Sequence, residues 1–192
     1  MKIACIVEGQ GDEDAVPVLI RRIAGELGLA VEAGERIRVT KTQLLRAGEL
    51  ERWVSHAASI TGLGGAVFVI VDGDDDPPYE LEESLKHRAG VDTRIAGGAA
   101  VAVMEFEAWF IAGVEGLRGQ RGIPYDVKSV PDPESIRDAK GWLSRFMPQH
   151  RGYKPTLHQA AFTSTFDMVK ARERSPSFDR CYREIERLIR MP

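Results

Sequence analysis

Two uninterrupted apolar runs, Ile3-Ala4-Cys5-Ile6-Val7 and Ala66-Val67-Phe68-Val69-Ile70-Val71, constrain the fold of this chain more than any other feature. A strand with one wet face alternates apolar and polar residues. A run rich in β-branched residues and apolar at every position is covered on both faces, which is the mark of a parallel sheet. Each run also ends on acid: Glu8-Gly9 after the first, Asp72-Gly73-Asp74 after the second. In open parallel sheets the working groups lie just beyond the carboxyl ends of the strands. Neighbouring strands are about 4.8 Å apart, so two such ends side by side would crowd Glu8, Asp72 and Asp74 into one volume. A like-charge pair about 4 Å apart costs roughly 4 kcal/mol at an effective dielectric near 20. Packing alone does not justify that cost, whereas a divalent cation does.

Between and after these runs the periodicity alternates. A helix is predicted from about Asp14 to Leu27, with Pro17 in its first turn and Gly28 as its stop. Ile37–Thr40 alternates as a more exposed strand, and Leu44 to Ile60 reads as one amphipathic helix closed by Gly62. A short helix is expected over Tyr79–Arg88, a strand over Ala99–Met104, and a helix from Glu105 to Val114. The segment Gly116 to Asp132 reads as loop. Helices near Glu134–Phe146, Leu157–Phe166 and Phe178–Ile189 complete the chain. The fold class is therefore α/β, a Rossmann-like parallel sheet of about four strands flanked by helices. A single domain over residues 1–192 is expected, with an α/β core at about 1–115 and a mainly helical C-terminal part at about 116–192; 192 residues suffice for one such core.

Several function classes are disfavoured. No apolar stretch approaches the 18 residues of a membrane helix, and Met1-Lys2-Ile3 runs straight into a strand without a secretory layout. Cys5 and Cys181 form neither a disulfide framework nor a zinc pattern, so the cytoplasm is the expected location. His56, His87, His150 and His158 lack metal-ligand spacing. The net charge of −3 conceals an asymmetry: residues 136–192 carry 12 of the 26 Lys and Arg but 6 of the 29 Asp and Glu. Such a basic end suits a polyanion-holding surface, or equally a set of solvated helix faces.

Each motif admits a plain reading beside a functional one. In Glu8-Gly9-Gln10-Gly11-Asp12 the glycines permit a tight turn, but Asp14 stands where a dinucleotide fingerprint needs Gly. Asp12 can serve merely as a helix N-terminal acid; Glu8 has no comparable structural purpose. Asp72-Gly73-Asp74-Asp75-Asp76 fails as a calcium loop, because Pro77 occupies the position that needs Gly. It fits a haloacid-dehalogenase-type nucleophile loop poorly and a magnesium or manganese site well. Asp75 and Asp76 suit a solvated turn. Glu105-Phe106-Glu107-Ala108-Trp109 follows the last strand signal, so Glu105 or Glu107 reaches the same rim if that strand joins the sheet; the plain reading is an acidic first turn with Trp109 in the core. In Arg151-Gly152-Tyr153-Lys154-Pro155, Lys154 either neutralises charge in phosphoryl transfer or is simply solvated.

Taken together, Glu8-Gly9, Asp72-x-Asp74 and Glu105-x-Glu107-x-Trp109 resemble the TOPRIM domain. The chain looks closest to a domain-of-unknown-function family of small stand-alone TOPRIM-like proteins, kin to the nuclease half of OLD-type (overcoming lysogenisation defect) proteins. The resemblance extends to Tyr153-Lys154 and to Ala171-Arg172 with Ser175-Pro176-x-Phe178. It implies one or two Mg²⁺ or Mn²⁺ ions acting on phosphodiesters. Glu8 matches the Glu-Gly acid, Asp72 and Asp74 the paired aspartates, Asp12 and Glu105 or Glu107 extra ligands of OLD-type nucleases, and Lys154 their late lysine.

The expected function is thus a metal-dependent nuclease that activates water, part of a defence system in one version, with nucleic acid as partner, DNA before RNA. Asp72, Asp74 and Glu105 or Glu107 would hold one ion; Glu8 and Asp12 would hold a second or act as base. Lys154 and C-terminal arginines would offset phosphate charge. Two alternatives stand: a non-catalytic or partner-activated effector that works with an ATPase, and a phosphatase with Asp72 as nucleophile.

Overall fold

A computed structural model describes residues 1–90, 92, 94–147 and 152–191. Its centre is a four-stranded, all-parallel sheet of β1 (Lys2–Val7), β2 (Glu32–Arg38), β3 (Ala66–Asp72) and β4 (Ala96–Ala102), in the order β2-β1-β3-β4. The two apolar runs are the two inner strands, where both faces need covering. One face meets α2 (Lys41–Leu44), α3 (Glu49–Thr61) and α4 (Pro78–Ala89) through Leu44, Leu50, Val54, Ala57 and Leu85, packed on Ala4, Ile6, Val67, Val69 and Val101. The other face meets α1 (Asp12–Glu26) and the helices that follow β4. These are α5 (Glu107–Ala112), α6 (Ala139–Ser144), α7 (Pro155–Thr163), α8 (Met168–Arg174) and α9 (Pro176–Arg190), with 3-10 turns at Val114–Leu117 and Pro133–Ser135. Phe110, Phe162, Phe166 and Phe178 fill the second layer edge to face, with Trp109 tilted on Phe178 and ring centroids 5.3–5.7 Å apart. The C-terminal helices are therefore the outer layer of the same core.

Several element limits differ from those the sequence predicts, each for a physical reason. Helix α1 begins at Asp12, so Pro17 lies past the first turn; the carbonyl of Glu13, which its missing N–H cannot reach, is approached by Arg36 Nη1 at 3.5 Å. Strand β2 starts five residues early, because an edge strand needs only its ladder with β1 and its Glu32, Glu35 and Arg36 face solvent. The expected long second helix is split: Gly48 takes φ +77°, a left-handed conformation that breaks helical propagation between α2 and α3. The expected Glu134–Phe146 helix shrinks to a 3-10 turn and α6, and α8 occupies a stretch whose short amphipathic signal did not register. Strand β4 ends at Ala102, two residues before its predicted limit. Met104 instead adopts φ +59° and bridges antiparallel to Asp74, itself at φ +50°. Two non-glycine residues in this sparsely populated region therefore face each other at the strand ends.

Candidate metal centre at the carboxyl end of the sheet

The register fixes which acids meet. Val7 pairs with Ile70, so Glu8 and Gly9 leave β1 beside Val71 and Asp72, and Asp72 pairs with Ala102 of β4. Asp72 Oδ1 accepts from the Phe106 backbone N–H at 2.8 Å, which ties the mouth of β3 to the start of α5 and brings Glu105 and Glu107 to the same rim. Asp12 opens α1; its Oδ2 accepts from Gly9 N at 2.8 Å and its Oδ1 from Gln159 of α7. Gly11 is required for that approach, since a Cβ there would run into the Gln159 side chain and Pro155. Asp12, Asp72 and Glu107 then line one cleft of about 200 Å³, with Gly9, Gly11, Lys140 and Gln159 among its other walls.

Two lysines organise the acids into two groups. Asp138 caps α6 by accepting from Gly141 N at 2.7 Å, and this turn delivers Lys140. Its Nζ lies 2.8 Å from Glu105 Oε1, 3.3 Å from Glu107 Oε2 and 3.7 Å from Asp72 Oδ2, while its backbone N–H donates to Glu105 Oε2 at 3.1 Å. On the other side of Asp72, Thr40 caps α2 and presents Lys41. Lys41 Nζ donates to the carbonyls of Asp72 and Gly73 at 3.1 and 3.2 Å and pairs with Asp74 at 2.6 Å and Asp76 at 3.0 Å; its backbone N–H donates to Glu8 Oε1 at 3.2 Å.

Burial sets the electrostatics. Desolvation pushes the carboxyls of Glu8, Asp12 and Glu107 above their ordinary values, and that of Asp72 well above, with Lys140 opposing the rise at Asp12, Asp72 and Glu107. Lys140 is affected by its own burial, which disfavours its charge, yet Glu107, Asp72 and Glu105 raise it overall. Among the described residues five buried side-chain polar atoms have no hydrogen-bond partner, and three of these, Glu8 Oε2, Glu107 Oε1 and Tyr153 Oη, belong to this end of the molecule. Glu107 is 1% exposed. A buried carboxylate oxygen without a donor is expensive; a cation, a proton or the Tyr153 hydroxyl that lies against Glu107 would each answer it.

A metal implied by this donor set can be tested against the side chains. Among the described residues no three His, Cys, Asp or Glu converge closely enough to ligate an ion as they stand. The Lys140 ammonium sits between Asp72, Glu105 and Glu107. The donors themselves are all carboxylate oxygens, the set that suits Mg²⁺ or Mn²⁺, and Glu107 Oε1 and Glu8 Oε2 are unclaimed. Their chemistry, though not their present spacing, is that of a Mg²⁺ or Mn²⁺ site.

Of the residues singled out in the sequence, Asp12, Asp72 and Glu107 share the cleft, and Glu105 joins them through Lys140. Glu8 and Asp74 gather about Lys41 instead, together with Asp76, which the sequence suggests as a solvated turn acid. Asp75 pairs with Arg137 on the surface. Lys154 is exposed at the head of α7, where its backbone N–H donates to His158 Nδ1; Arg151 and His150 lie outside the described residues. Sequence reasoning missed Lys41, Lys140 and Gln159. An N-cap followed by lysine, as in Thr40-Lys41 and Asp138-Ala139-Lys140, is the faint local signal that was present. The C-terminal arginines expected to meet a polyanion are already engaged: Arg172 and Arg183 pair with Asp179, Arg174 with Glu115, Arg180 with Glu82, Arg187 with Glu184 and Arg190 with Glu186. No described helix is long and apolar enough to cross a membrane.

A family model described as Domain of unknown function (DUF4276) matches residues 7–186, nearly the whole chain and the entire rim. No curated protein and no solved structure matches it.

Proposed function

This chain belongs to the DUF4276 family, and we propose that it is a Mg²⁺- or Mn²⁺-dependent phosphodiester hydrolase, a nuclease of the TOPRIM and OLD type. One observation carries the reading: Glu107 buries an oxygen that no donor meets, in a cleft it shares with Asp12 and Asp72. Structural carboxylates in protein interiors are satisfied; these are crowded, desolvated and share one ammonium.

Asp72, Glu107, Asp12 and Glu105 would hold the ion. When bound, it would supply a polarised water and neutralise charge on the phosphate. Asp72 is kept in place by the Phe106 N–H and Asp12 by Gly9 N and Gln159. Glu8, with Oε2 unclaimed, is the proton acceptor in this reading. Lys140 lines the cleft and, released from its carboxylates, is the group that would meet a phosphate oxygen. That role was expected of Lys154, which remains a candidate for contacting substrate from the head of α7. DNA is the favoured polyanion, and an ATPase partner is compatible with the paired state of the C-terminal arginines, which leaves little free positive surface on α9. Two buried free thiols, Cys5 and Cys181, suit a reducing cytoplasm.

The test is nicking of supercoiled plasmid by the purified chain with Mg²⁺ or Mn²⁺ and with chelator. Activity should need the metal and fall about 10²–10³-fold in folded Asp72→Asn and Glu8→Gln variants. Equal activity in both variants would remove the assignment.

A further inference from the structure

We propose that the loop over residues 116–132 is a contact surface for single-stranded nucleic acid, on which Tyr125 stacks with a base while Arg118, Arg121 and Lys128 meet phosphates. This rests on the reading of the rim as a phosphodiester-cleaving centre and names the form of its substrate.

The loop is built to hold its outward side chains in place. Leu117, Ile123 and Val127 are buried in the second layer of the core, and each has a cation or Tyr125 within two positions in sequence. Gly119 N–H donates to Ile123 O at 2.9 Å and Ile123 N–H to Gln120 O at 2.9 Å, which closes a tight turn around Arg121. Arg118 Nε donates to the Val127 carbonyl at 3.2 Å, so its guanidinium crosses to the segment that carries Lys128. The Tyr125 ring lies against Gly119, where a Cβ would come within 2.3 Å of it, yet the ring is 83% exposed. Arg118, Gly119, Tyr125 and Val127 thus form one cluster on anchored backbone. Groups ordered in advance lose less entropy when a ligand arrives.

These groups lack partners of their own. Among the described residues Arg118, Arg121 and Lys128 are exposed and form no ion pair, and the loop's acids, Asp126 and Asp132, pair with none of them. Positive charge that acids neutralise on α8 and α9 therefore remains open here. An open ring beside open cations suits an unpaired strand, whose bases present π faces and whose backbone is charged. A duplex keeps its bases stacked on one another and offers the ring nothing. The loop also adjoins the rim. It follows α5, which Glu107 opens, and the chain path from Glu107 to Leu117 spans at most about 20 Å. Its other end runs through Pro133–Ser135 into the Asp138 cap that delivers Lys140 to the cleft.

Fluorescence anisotropy of a dye-labelled oligothymidylate, titrated with the full chain in EDTA, tests this without cleavage. Tyr125→Ala should weaken binding by about 5- to 150-fold, the worth of one stacked base. Tyr125→Phe, which keeps the ring, should change it by less than about twofold. Arg121→Ala and Lys128→Ala should each flatten the dependence of log Kd on log salt by about 0.7, the value for one single-strand phosphate contact. Arg183→Ala on α9, where Asp179 already pairs with the arginine, should alter neither quantity. A duplex of the same length should bind at least about tenfold more weakly. Unchanged binding in Tyr125→Ala, equal affinity for the duplex, or no oligonucleotide binding at all would each overturn the role of the loop. Metal-dependent nicking is read separately, so the rim reading stands or falls on its own. Arg121 and Lys128 are exposed, so their variants decide the phosphate contacts even if Tyr125→Ala does not fold.

Discussion

Two buried carboxylates in this molecule, Glu82 and Glu107, are nearly equally hidden, at 2% and 1% exposure, and could hardly be treated more differently. Glu82 lies where α4 and α9 cover β4. Its oxygens receive Lys86 Nζ at 2.7 Å, Arg180 Nε at 3.2 and 3.3 Å, and the Val101 N–H at 3.3 Å. Glu107 has a share in one lysine, a crowd of like charges, and an oxygen with no donor. Burying a charge is tolerated when hydrogen bonds and counter-charges complete it. Glu82 shows that this chain can build such a site. The incomplete one at Glu107 is thus a property of the rim, and not of the fold's general treatment of acids.

The contrast can be broken most sharply by exchanging charge for amide at each end. Asp72→Asn should lose nicking activity by about 10²–10³-fold yet unfold, in metal-free buffer, at the same temperature as the unaltered chain or higher, because it relieves repulsion in a crowded cleft. Glu82→Gln should do the reverse. It leaves Lys86 and Arg180 without their buried counter-charge at a cost of about 3 kcal/mol, a fall in Tm of roughly 6–12 °C for a domain of this size, with Mn²⁺ binding unchanged. Thermal unfolding beside Mn²⁺ titration checks both. If Asp72→Asn destabilises as much as Glu82→Gln, the rim is an ordinary ion cluster.

Smaller effects sharpen the same division. Tyr153 Oη is buried against Glu107, whose carboxylate its hydroxyl approaches without a hydrogen bond of good geometry, so Tyr153→Phe removes a poorly satisfied group. Calorimetry should find stability unchanged or raised by up to about 1 kcal/mol. A completed surface pair behaves oppositely. Arg88 Nε and Nη2 donate to the two oxygens of Glu51 at 2.6 and 2.8 Å and hold that carboxyl down at about 2. A depressed acid stabilises the fold above its unfolded value near 4.5 and loses that stabilisation as pH falls toward 2. With Glu51 33% exposed, solvent screening reduces the effect to about 1 kcal/mol. Arg88→Ala should therefore destabilise the chain at pH 7 and have a clearly smaller effect at pH 2.5 in denaturant titrations.

How much of this was legible in the sequence follows from the kind of force involved. The inner strands were legible because burial on both faces writes itself into every residue of Ile3–Val7 and Ala66–Val71. The acids at their ends were legible because strand-end placement follows from topology alone. The edge strand β2 was half hidden, since a ladder on one side leaves Glu32, Glu35 and Arg36 free to be polar. The split between α2 and α3 depended on a left-handed glycine, Gly48, that sequence does not distinguish from a helix-tolerated one. Least legible were Lys41 and Lys140. Their roles arise from distance in three dimensions, 31 and 68 positions from Asp72 in sequence, and a lysine on a short polar helix carries no periodic signal. The sequence's basic C-terminal end was visible, but its neutralisation by Asp179, Glu184, Glu186 and Glu82 was not.

The central claim is that Glu107, crowded against Asp72, keeps an oxygen without a donor so that a hard cation can supply what Lys140 only partly gives. Anomalous scattering from a crystal soaked in Mn²⁺ addresses it directly. A single peak about 2–2.5 Å from oxygens of Asp72 and Glu107, with the Lys140 ammonium withdrawn from between them, is the expected result. A crystal in which Lys140 still bridges Asp72, Glu105 and Glu107, with no manganese at the rim, would contradict it.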